Sequence, residues 1–235
     1  MSTADTLVLA WHGSRNPAGR ELIDRIARRV SGRLHGVDVH VAWVDIEPVQ
    51  LAETLAEVGD CVLVPCFLAA GYHATHDVPA AVASVPHEVL VTPHLNGALD
   101  GMLLDRVREA GGAGDAVVLA AAGSKSPVAT AEVDATAALL SRALGVPVTV
   151  GNIYQSEPSV TDAVAAARRE HPGRGEADVL VLPYALAPGL WGERIAGLGA
   201  RVAAPLGDHE GVTAAIVERY VAAVRLAEAP RAAAA

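Results

Sequence analysis

The chain has 235 residues, of which 51% are hydrophobic and 3% aromatic, and its formal net charge is −9. This length allows one large domain or two small ones, each with its own core. The acidic balance argues against nucleic acid and against an anionic membrane surface as partners. Because aromatic residues are scarce, the core must be built from Val, Leu, Ile and Ala. That composition suits buried parallel strands covered by Ala-rich helices.

Two features of the sequence indicate the cellular compartment of the protein. The chain starts without the basic region and long apolar stretch of a signal peptide, and no apolar run reaches membrane-spanning length. Cys61 and Cys66 lie in one apolar segment, where a strand would point them to opposite faces and away from a disulfide. We therefore expect buried, reduced thiols and a cytoplasmic protein.

Short apolar runs alternate with helical patterns along the first half of the chain. The predicted strands, in chain order, are 6–11, 38–44, 61–66 and 88–92. The helices predicted to follow them are 18–34, about 49–58, near 77–84 and 97–110. Four successive βα units are typical of an open parallel sheet with helices on both faces.

The second half repeats the first. The segment VVLAAAGSK at 117–125 matches LVLAWHGSR at 7–15, at an offset of 110 residues. Glu157 matches Glu47 at the same offset, and each precedes a proline. Three matching segments in one order indicate a duplication, and the third pair is DCVLVPCFLAAGYH at 60–73 and DVLVLPYALAPGLW at 178–191.

The duplication sets the predicted domain boundaries. The third match requires an eight-residue insertion around 171–173. The glycine-rich stretch 111–114 is the predicted linker. We therefore predict a first repeat at 1–110, a second, degenerate repeat at 116–228 and an alanine-rich tail at 229–235.

A pair of histidines distinguishes the two repeats. Ligands of open parallel sheets bind beyond the C-terminal ends of the strands, where His12 follows the first strand and His73 follows the third. The matching residues of the second repeat are Ala122 and Trp191, so the scaffold does not need imidazoles there. A lone histidine at a strand end is usually a turn residue, but this pattern predicts a functional role for both.

Glu47 follows the second strand at the same edge and is the predicted third metal ligand. Its retention as Glu157 is equally consistent with a Glu-Pro start of the next helix. Two imidazoles and a carboxylate, with positions left open, suit Fe²⁺, Co²⁺ or Ni²⁺. A closed structural zinc site would need a fourth protein ligand. A soft-metal role for Cys66 is a lesser alternative.

The segments LVLAWHGSR and VPCFLAAGYHATHDVPA resemble the two signature stretches of class II chelatases, the sirohydrochlorin cobalto- and ferrochelatases. The resemblance covers nearly the whole chain, because the longer members are also two fused copies with a degenerate second half. It implies a central cleft between two tandem, similar α/β domains, where His12, His73 and Glu47 bind the metal and assist proton removal. The family usually has Lys or another polar residue where this chain has 74–76, and we expect His76 to be solvated rather than ligating.

The resemblance implies a lyase that inserts a divalent metal into sirohydrochlorin, in sirohaem or cobalamin biosynthesis. Iron is slightly favoured over cobalt, with nickel as a third candidate. Neutral imidazoles suit this reaction because they hold a metal at moderate affinity and accept protons near pH 7. The sequence has no Walker A and no Gly-x-Gly-x-x-Gly motif, so we expect no cofactor beyond the substrate metal.

The substrate is an acidic tetrapyrrole, so basic residues are needed near the site. Arg15 and Lys125 follow the first strand of each repeat and are predicted to bind substrate, with Arg20 and Arg194 as further candidates. The alternative for each is solvated surface charge. Ser14 is a predicted substrate ligand as well, and capping of the following helix is the favoured alternative. Since duplication supplies both domains in one chain, we expect a monomer.

Three other functions are considered. A histidine phosphatase needs an arginine beside its histidine, whereas position 11 is Trp. The chain could also be the degenerate partner subunit of a single-copy relative, but the intact His12 and His73 argue against this function. A non-catalytic metal or tetrapyrrole carrier would use the same histidines and stays open.

Overall fold

Each half of the chain forms a four-stranded parallel sheet in the computed structural model, which describes residues 5–47, 50–170, 177–189 and 191–229. The first sheet has the order β2-β1-β3-β4, with β1 at Thr6–Trp11, β2 at Asp38–Trp43, β3 at Cys61–Pro65 and β4 at Val89–Val91. The second has the order β6-β5-β7-β8, with β5 at Ala116–Ala121, β6 at Val148–Asn152, β7 at Val179–Pro183 and β8 at Arg201–Val202. The predicted fold class of two similar open parallel α/β sheets is confirmed.

Helices follow the strands in both repeats. Those of the first repeat are α1 (Pro17–Arg33), α2 (Leu51–Val58), α3 (Val78–Ala83) and α4 (Asp100–Glu109). Those of the second repeat are α5 (Pro127–Leu144), α6 (Val160–Glu170), α7 (Trp191–Ala196) and α8 (Glu210–Glu228). The described elements of the first repeat lie within three residues of their predicted ends. Residues 171–173, around which the eight-residue insertion was predicted, and residues 230–235 of the predicted tail lie outside the described residues.

Burial explains why the central strands are continuous apolar runs. Every residue of β1 and of β3 is buried, and the same holds for β5 and β7. Strands covered by helices on both faces have no solvent side, so their sequences do not alternate. The edge strands β2, β4, β6 and β8 are half-buried or exposed at most positions.

The first helix of each repeat starts in the same way. Asn16 caps α1, accepting a hydrogen bond from Ala18 N at 3.0 Å, and a proline opens the helix. Ser126 caps α5 by accepting from Ala129 N at 3.3 Å, and a proline follows again. A capping side chain satisfies a backbone N–H that lacks a helical partner, and proline tolerates the first position since its missing N–H is not needed there.

One local feature differs from the sequence prediction. The helix predicted near 77–84 is preceded by a π-helical turn at His73–Asp77. Pro79 has no N–H to donate to the carbonyl four residues earlier, so a regular α-helical turn cannot be completed through this point. The turn places His73 at the start of a helical segment rather than in a loop.

The chain divides into two compact units that exchange one helix each relative to the sequence repeats. The first unit holds β1–β4, α1–α3 and α8, and in it α8 packs against α1 and β3. An ion pair between Arg33 and Glu210 joins α1 to α8. The second unit holds β5–β8, α4–α7 and the short segment Leu68–Tyr72, and in it α4 packs against α5 and β7.

The cysteines are free and buried, as the sequence predicted. No helix in the described part of the chain is long and apolar enough to cross a membrane. The stretch 111–114, predicted as a linker, is held in the second unit, where the Arg201 guanidinium donates to Ala110 O at 2.5 Å and to Gly112 O at 3.1 Å.

Candidate metal site

A tight backbone contact brings the first two strand ends together. Gly13 has a φ of 100°, and a Cβ at this position would lie 2.2 Å from the carbonyl oxygen of Asp45. The second repeat has the same contact, because a Cβ at Gly123 would lie 1.8 Å from Gln155 O. Only glycine fits such a conformation and approach without strain. The contact holds the turn that carries His12 against the loop that carries Asp45.

Three side chains of the first unit meet at this edge of the sheet. The ligand atoms of His12, Asp45 and His73 all lie within 4.8 Å of one another. The two imidazole rings meet edge to face, with centroids 4.5 Å apart and planes at 90°. His12 and Asp45 are exposed and His73 is half-buried, so the group is open to solvent on one side. Two imidazoles and a carboxylate at these spacings can hold one first-row divalent cation and leave positions for other ligands.

The ring of His73 is oriented by a carboxylate. Its Nδ1 lies 2.5 Å from Asp77 Oδ2, at the other end of the π-helical turn. A neutral imidazole that donates Nδ1–H to a carboxylate carries its lone pair on Nε2. Such a partner fixes the tautomer and raises the basicity of a metal-binding histidine.

The surroundings of His12 disfavour its charged form. The pKa of His12 lies below its ordinary value of 6.5, chiefly because the surrounding protein removes water from the ring and next because His73 lies beside it. A hydrogen bond with Gly13 and the negative charges of Asp45 and Asp77 offset part of this lowering. A neutral ring at pH 7 has a lone pair for a metal or a proton.

A family model matches both repeats of the chain. The CbiX model matches residues 6–110 and again 116–223, so it covers both repeats. The chain belongs to the CbiX family. The curated relatives that it resembles include the sirohydrochlorin cobaltochelatase of Methanocaldococcus jannaschii, 36% identical over 80 residues, or 32% of this chain and 56% of that one. The corresponding protein of Methanopyrus kandleri is 34% identical over 85 residues, or 34% of this chain and 59% of that one. The chain thus spans less than two thirds of the length of either relative.

Solved structures resemble this chain in fold. SirB from Bacillus subtilis, determined with Fe³⁺, has a TM-score of 0.77 and 17% identity, covering 95% of this chain and 96% of that one. CbiX, the terminal enzyme of sirohaem biosynthesis in denitrifying bacteria, has a TM-score of 0.67 and 22% identity, covering 93% and 98%. At these identities the likeness concerns the fold.

Glu47 has different partners from the histidines. Its Oε1 accepts from Arg20 Nη1 at 3.2 Å and from Ser14 N at 3.5 Å. Among the described residues the structure groups Asp45, and not Glu47, with the two histidines. Glu47 as a metal ligand therefore stays a prediction of the sequence, and its observed contact is an ion pair at the start of α1.

The other predicted residues of the first repeat lie between β1 and the first turn of α1 or, for His76, in the π-helical turn. Ser14 is not the helix cap that the sequence favoured, because the cap is Asn16; the Ser14 hydroxyl instead accepts from Asn16 N at 3.2 Å. Arg15 is exposed, and the described residues offer it no ion pair. Arg20 donates to Ser14 O at 3.1 Å as well as to Glu47. His76 is exposed, with Nδ1 2.9 Å from Thr75 Oγ1.

The two basic residues of the second repeat that were predicted to bind substrate lie in the second unit. Lys125 is exposed in the turn after β5. Arg194 donates to Ile153 O at 3.0 Å, and its guanidinium carbon lies 5.0 Å from the centroid of the Tyr154 ring.

Cys66 is poorly suited to a metal. Burial raises the pKa of its thiol well above the ordinary value. The sulfur donates to Val64 O at 3.6 Å. A metal ligand must be the thiolate, which this environment disfavours.

Sequence reasoning overlooked Asp45 and used Asp77 only as part of a motif. The comparison of repeats that marked the histidines contains the missing signal. Asp45 is replaced by Gln155 in the second repeat and Asp77 by Ile195, whereas Glu47 is retained as Glu157. Loss of a carboxylate together with the imidazoles is the pattern expected of the site residues.

Proposed function

We propose that this chain inserts a divalent metal, Fe²⁺ or Co²⁺, into sirohydrochlorin. The observation that carries the proposal is the group formed by His12, Asp45 and His73, with ligand atoms within 4.8 Å of one another. Membership of the CbiX family supports it, since curated relatives matched by about a third of this chain are sirohydrochlorin cobaltochelatases.

In this proposal the three side chains hold the incoming metal at moderate affinity. His12 and His73 each supply an imidazole nitrogen, and Asp45 supplies a carboxylate oxygen. Asp77 accepts a hydrogen bond from Nδ1–H of His73 and so keeps the lone pair of the ring on Nε2. Few ligands, none of them a thiolate, allow the metal to leave when the pyrrole nitrogens replace them.

The same imidazoles can accept the protons that metal insertion releases. Metal insertion releases two N–H protons from the macrocycle, one from each of two pyrrole nitrogens, while four nitrogens bind M²⁺. As each imidazole–metal bond breaks, the freed nitrogen lone pair can take one of these protons. The low pKa of His12 then favours return of its proton to water at pH 7. The net reaction is M²⁺ plus free-base sirohydrochlorin giving metallated product and two protons.

Substrate binding needs positive charge, because the macrocycle is a polycarboxylate. We propose Arg15 and Lys125 for this role, with Ser14 as a hydrogen-bonding neighbour in the same turn. Both cations are exposed and free of described ion pairs, so their charge is available. Replacing either with Ala is expected to raise the KM for sirohydrochlorin more than it lowers kcat, as measured by initial rates.

The preferred metal is identified by its rate of insertion and not by its binding affinity. A site of nitrogen and oxygen ligands binds Co²⁺ and Ni²⁺ more tightly than Fe²⁺, so binding alone does not reveal the biological metal. We propose iron as the preferred substrate and cobalt as the second. Rates with each metal, less the uncatalysed rate, decide between them.

The test is metal insertion followed by the absorption change of sirohydrochlorin under anaerobic conditions. His12→Ala and His73→Ala are each expected to reduce the rate to the uncatalysed level. His35→Ala, which removes an exposed imidazole outside the site, is the control and should keep the full rate. A wild-type rate in either site variant would remove the pair from the mechanism. Product limited to one equivalent per chain would instead indicate a carrier.

We also propose that the chain is a monomer, and light scattering tests this.

A further inference from the structure

The segment before His73 is held by residues of the second repeat. The first unit ends at Phe67 and resumes at His73, whereas Leu68–Tyr72 is grouped with the second unit. This segment links β3 to the π-helical turn. Its middle residues, Ala69, Ala70 and Gly71, have no side-chain groups that can form hydrogen bonds. Its conformation therefore depends on backbone hydrogen bonds.

Two of these bonds come from side chains of the second repeat. The Tyr184 hydroxyl donates to Leu68 O at 2.9 Å. Ala70 N donates to Glu132 Oε2 at 2.6 Å, and the charge on the carboxylate strengthens this bond. Ala70 is 8% exposed, so water competes little for its N–H.

Two properties of these side chains favour the bonds: Tyr184 keeps its hydroxyl proton, and Glu132 is anchored on a helix. Tyr184 is also 8% exposed, and burial, as the largest cause, raises its pKa to about 12, so that its hydroxyl keeps the proton. Glu132 lies on α5, within a helix that is capped at Ser126. Its backbone position is therefore set by the helix and not by the segment it binds.

The two supporting side chains have no chemical equivalent in the first repeat. The residue equivalent to Glu132 in the first repeat is Leu22, and the residue equivalent to Tyr184 is Cys66. The backbone confirms the second match, because Tyr184 N donates to Ala120 O and Cys66 N donates to Ala10 O, at 2.9 and 2.8 Å. Neither Leu nor Cys can replace the carboxylate or the phenol. The residue equivalent to Ala70 is Pro188, which has no N–H to offer.

We propose that Glu132 and Tyr184 are positioning residues for His73, and that the second repeat, having lost its own histidines, is retained in part to hold the segment that precedes this histidine of the first. This inference rests on the proposed function, in which His73 binds the metal. Without these two bonds the segment can change its backbone conformation, and His73 then spends less time beside His12 and Asp45. Metal affinity should fall although no ligand has been removed.

Tyr184→Phe and Glu132→Ala test this directly. The readout is Co²⁺ binding to the protein alone, by calorimetry and by the visible absorption of bound Co²⁺. Each variant is expected to bind Co²⁺ about three- to tenfold more weakly, the factor corresponding to one hydrogen bond. Y184F keeps the buried ring and so is expected to fold. E132Q, whose amide oxygen can still accept from Ala70 N but without the charge, should lose less affinity than E132A.

Controls separate positioning from stability and from the proposed function. Asp134→Ala changes an exposed residue of the same helix and should leave Co²⁺ binding unaltered. Wild-type Co²⁺ affinity in both Y184F and E132A, or equal losses in E132Q and E132A, would overturn the positioning role. Unaltered Co²⁺ binding in H12A and H73A would overturn the metal site itself. The two failures are thus distinguishable.

Discussion

Replacing Asp77 should separate the orientation of a metal ligand from the stability of the fold. Asp77 Oδ2 lies 2.5 Å from His73 Nδ1, and the two side chains are 34% and 28% exposed. A solvent-accessible pair four residues apart on a helical turn contributes only about 0.3–0.5 kcal/mol to folding. Asp77→Ala is therefore expected to change the free energy of unfolding by less than about 1 kcal/mol.

Asp77→Ala should reduce metal affinity much more than it reduces the stability of the fold. Removing the carboxylate behind a metal-binding histidine typically weakens binding about 10- to 100-fold, or about 1.4–2.8 kcal/mol. The loss arises because the ring can rotate and can carry its proton on Nε2, the nitrogen that must bind the metal. Asp77→Asn preserves size and can still accept from Nδ1–H, so it should lie between the wild type and D77A.

The assay is a Co²⁺ titration paired with urea unfolding of the same variants. We expect Co²⁺ affinity to increase in the order D77A, D77N, wild type. The free energy of unfolding should stay nearly unchanged in all three proteins. If D77A binds Co²⁺ as tightly as the wild type, the role assigned to the Asp77–His73 bond is refuted. If binding and stability fall together by the same free energy, Asp77 is merely structural.

Three further outcomes are expected. Asp45→Asn should weaken Co²⁺ binding by about tenfold or more and Glu47→Gln by less; the reverse order in titrations would restore Glu47 as the carboxylate ligand. The pKa of His12, measured by NMR titration, should lie below 6.5 and fall further in D45N, because the negative charge at Asp45 raises it; a rise in D45N would contradict this electrostatic account. Gly13→Ala and Gly123→Ala should each lower the unfolding free energy by about 2 kcal/mol or more, since alanine is strained at positive φ. Only G13A should also weaken Co²⁺ binding, and equal binding losses in the two variants would show that the effect is general.

The elements that the sequence predicted well are those set by local pattern. Strands buried on both faces require unbroken apolar runs, so β1 and β3 were visible in the sequence. The duplication was visible because two aligned copies carry matching segments. The histidine pair was predicted for the same reason, since comparing equivalent positions exposed the replacement by Ala122 and Trp191.

The choice of carboxylate depended on backbone geometry instead. Asp45 and Glu47 both follow β2, and Ile46 between them has a φ of 71°, in the left-handed region. Ser156 in the second repeat has a φ of 76°, so the turn belongs to the fold. Such a residue redirects the chain, and strand alternation then no longer tells which side chain faces His12. The comparison of repeats favours Asp45, but its position beside the imidazoles appears only in three dimensions.

The amino-acid sequence by itself determined two parallel sheets, their shared ancestry and the identity of the imidazoles, because these depend on periodicity and on aligned residue types. Tertiary structure decided which sheet each last helix covers. Helices α4 and α8 each present an apolar face, and both sheets offer apolar surfaces built from the same residue types, so local pattern does not distinguish the two packings. Tertiary structure also decided that Asp45 joins the histidines and that Tyr184 and Glu132 hold the segment before His73. Those contacts join residues far apart in the chain, and they depend on distances and directions that no local pattern encodes.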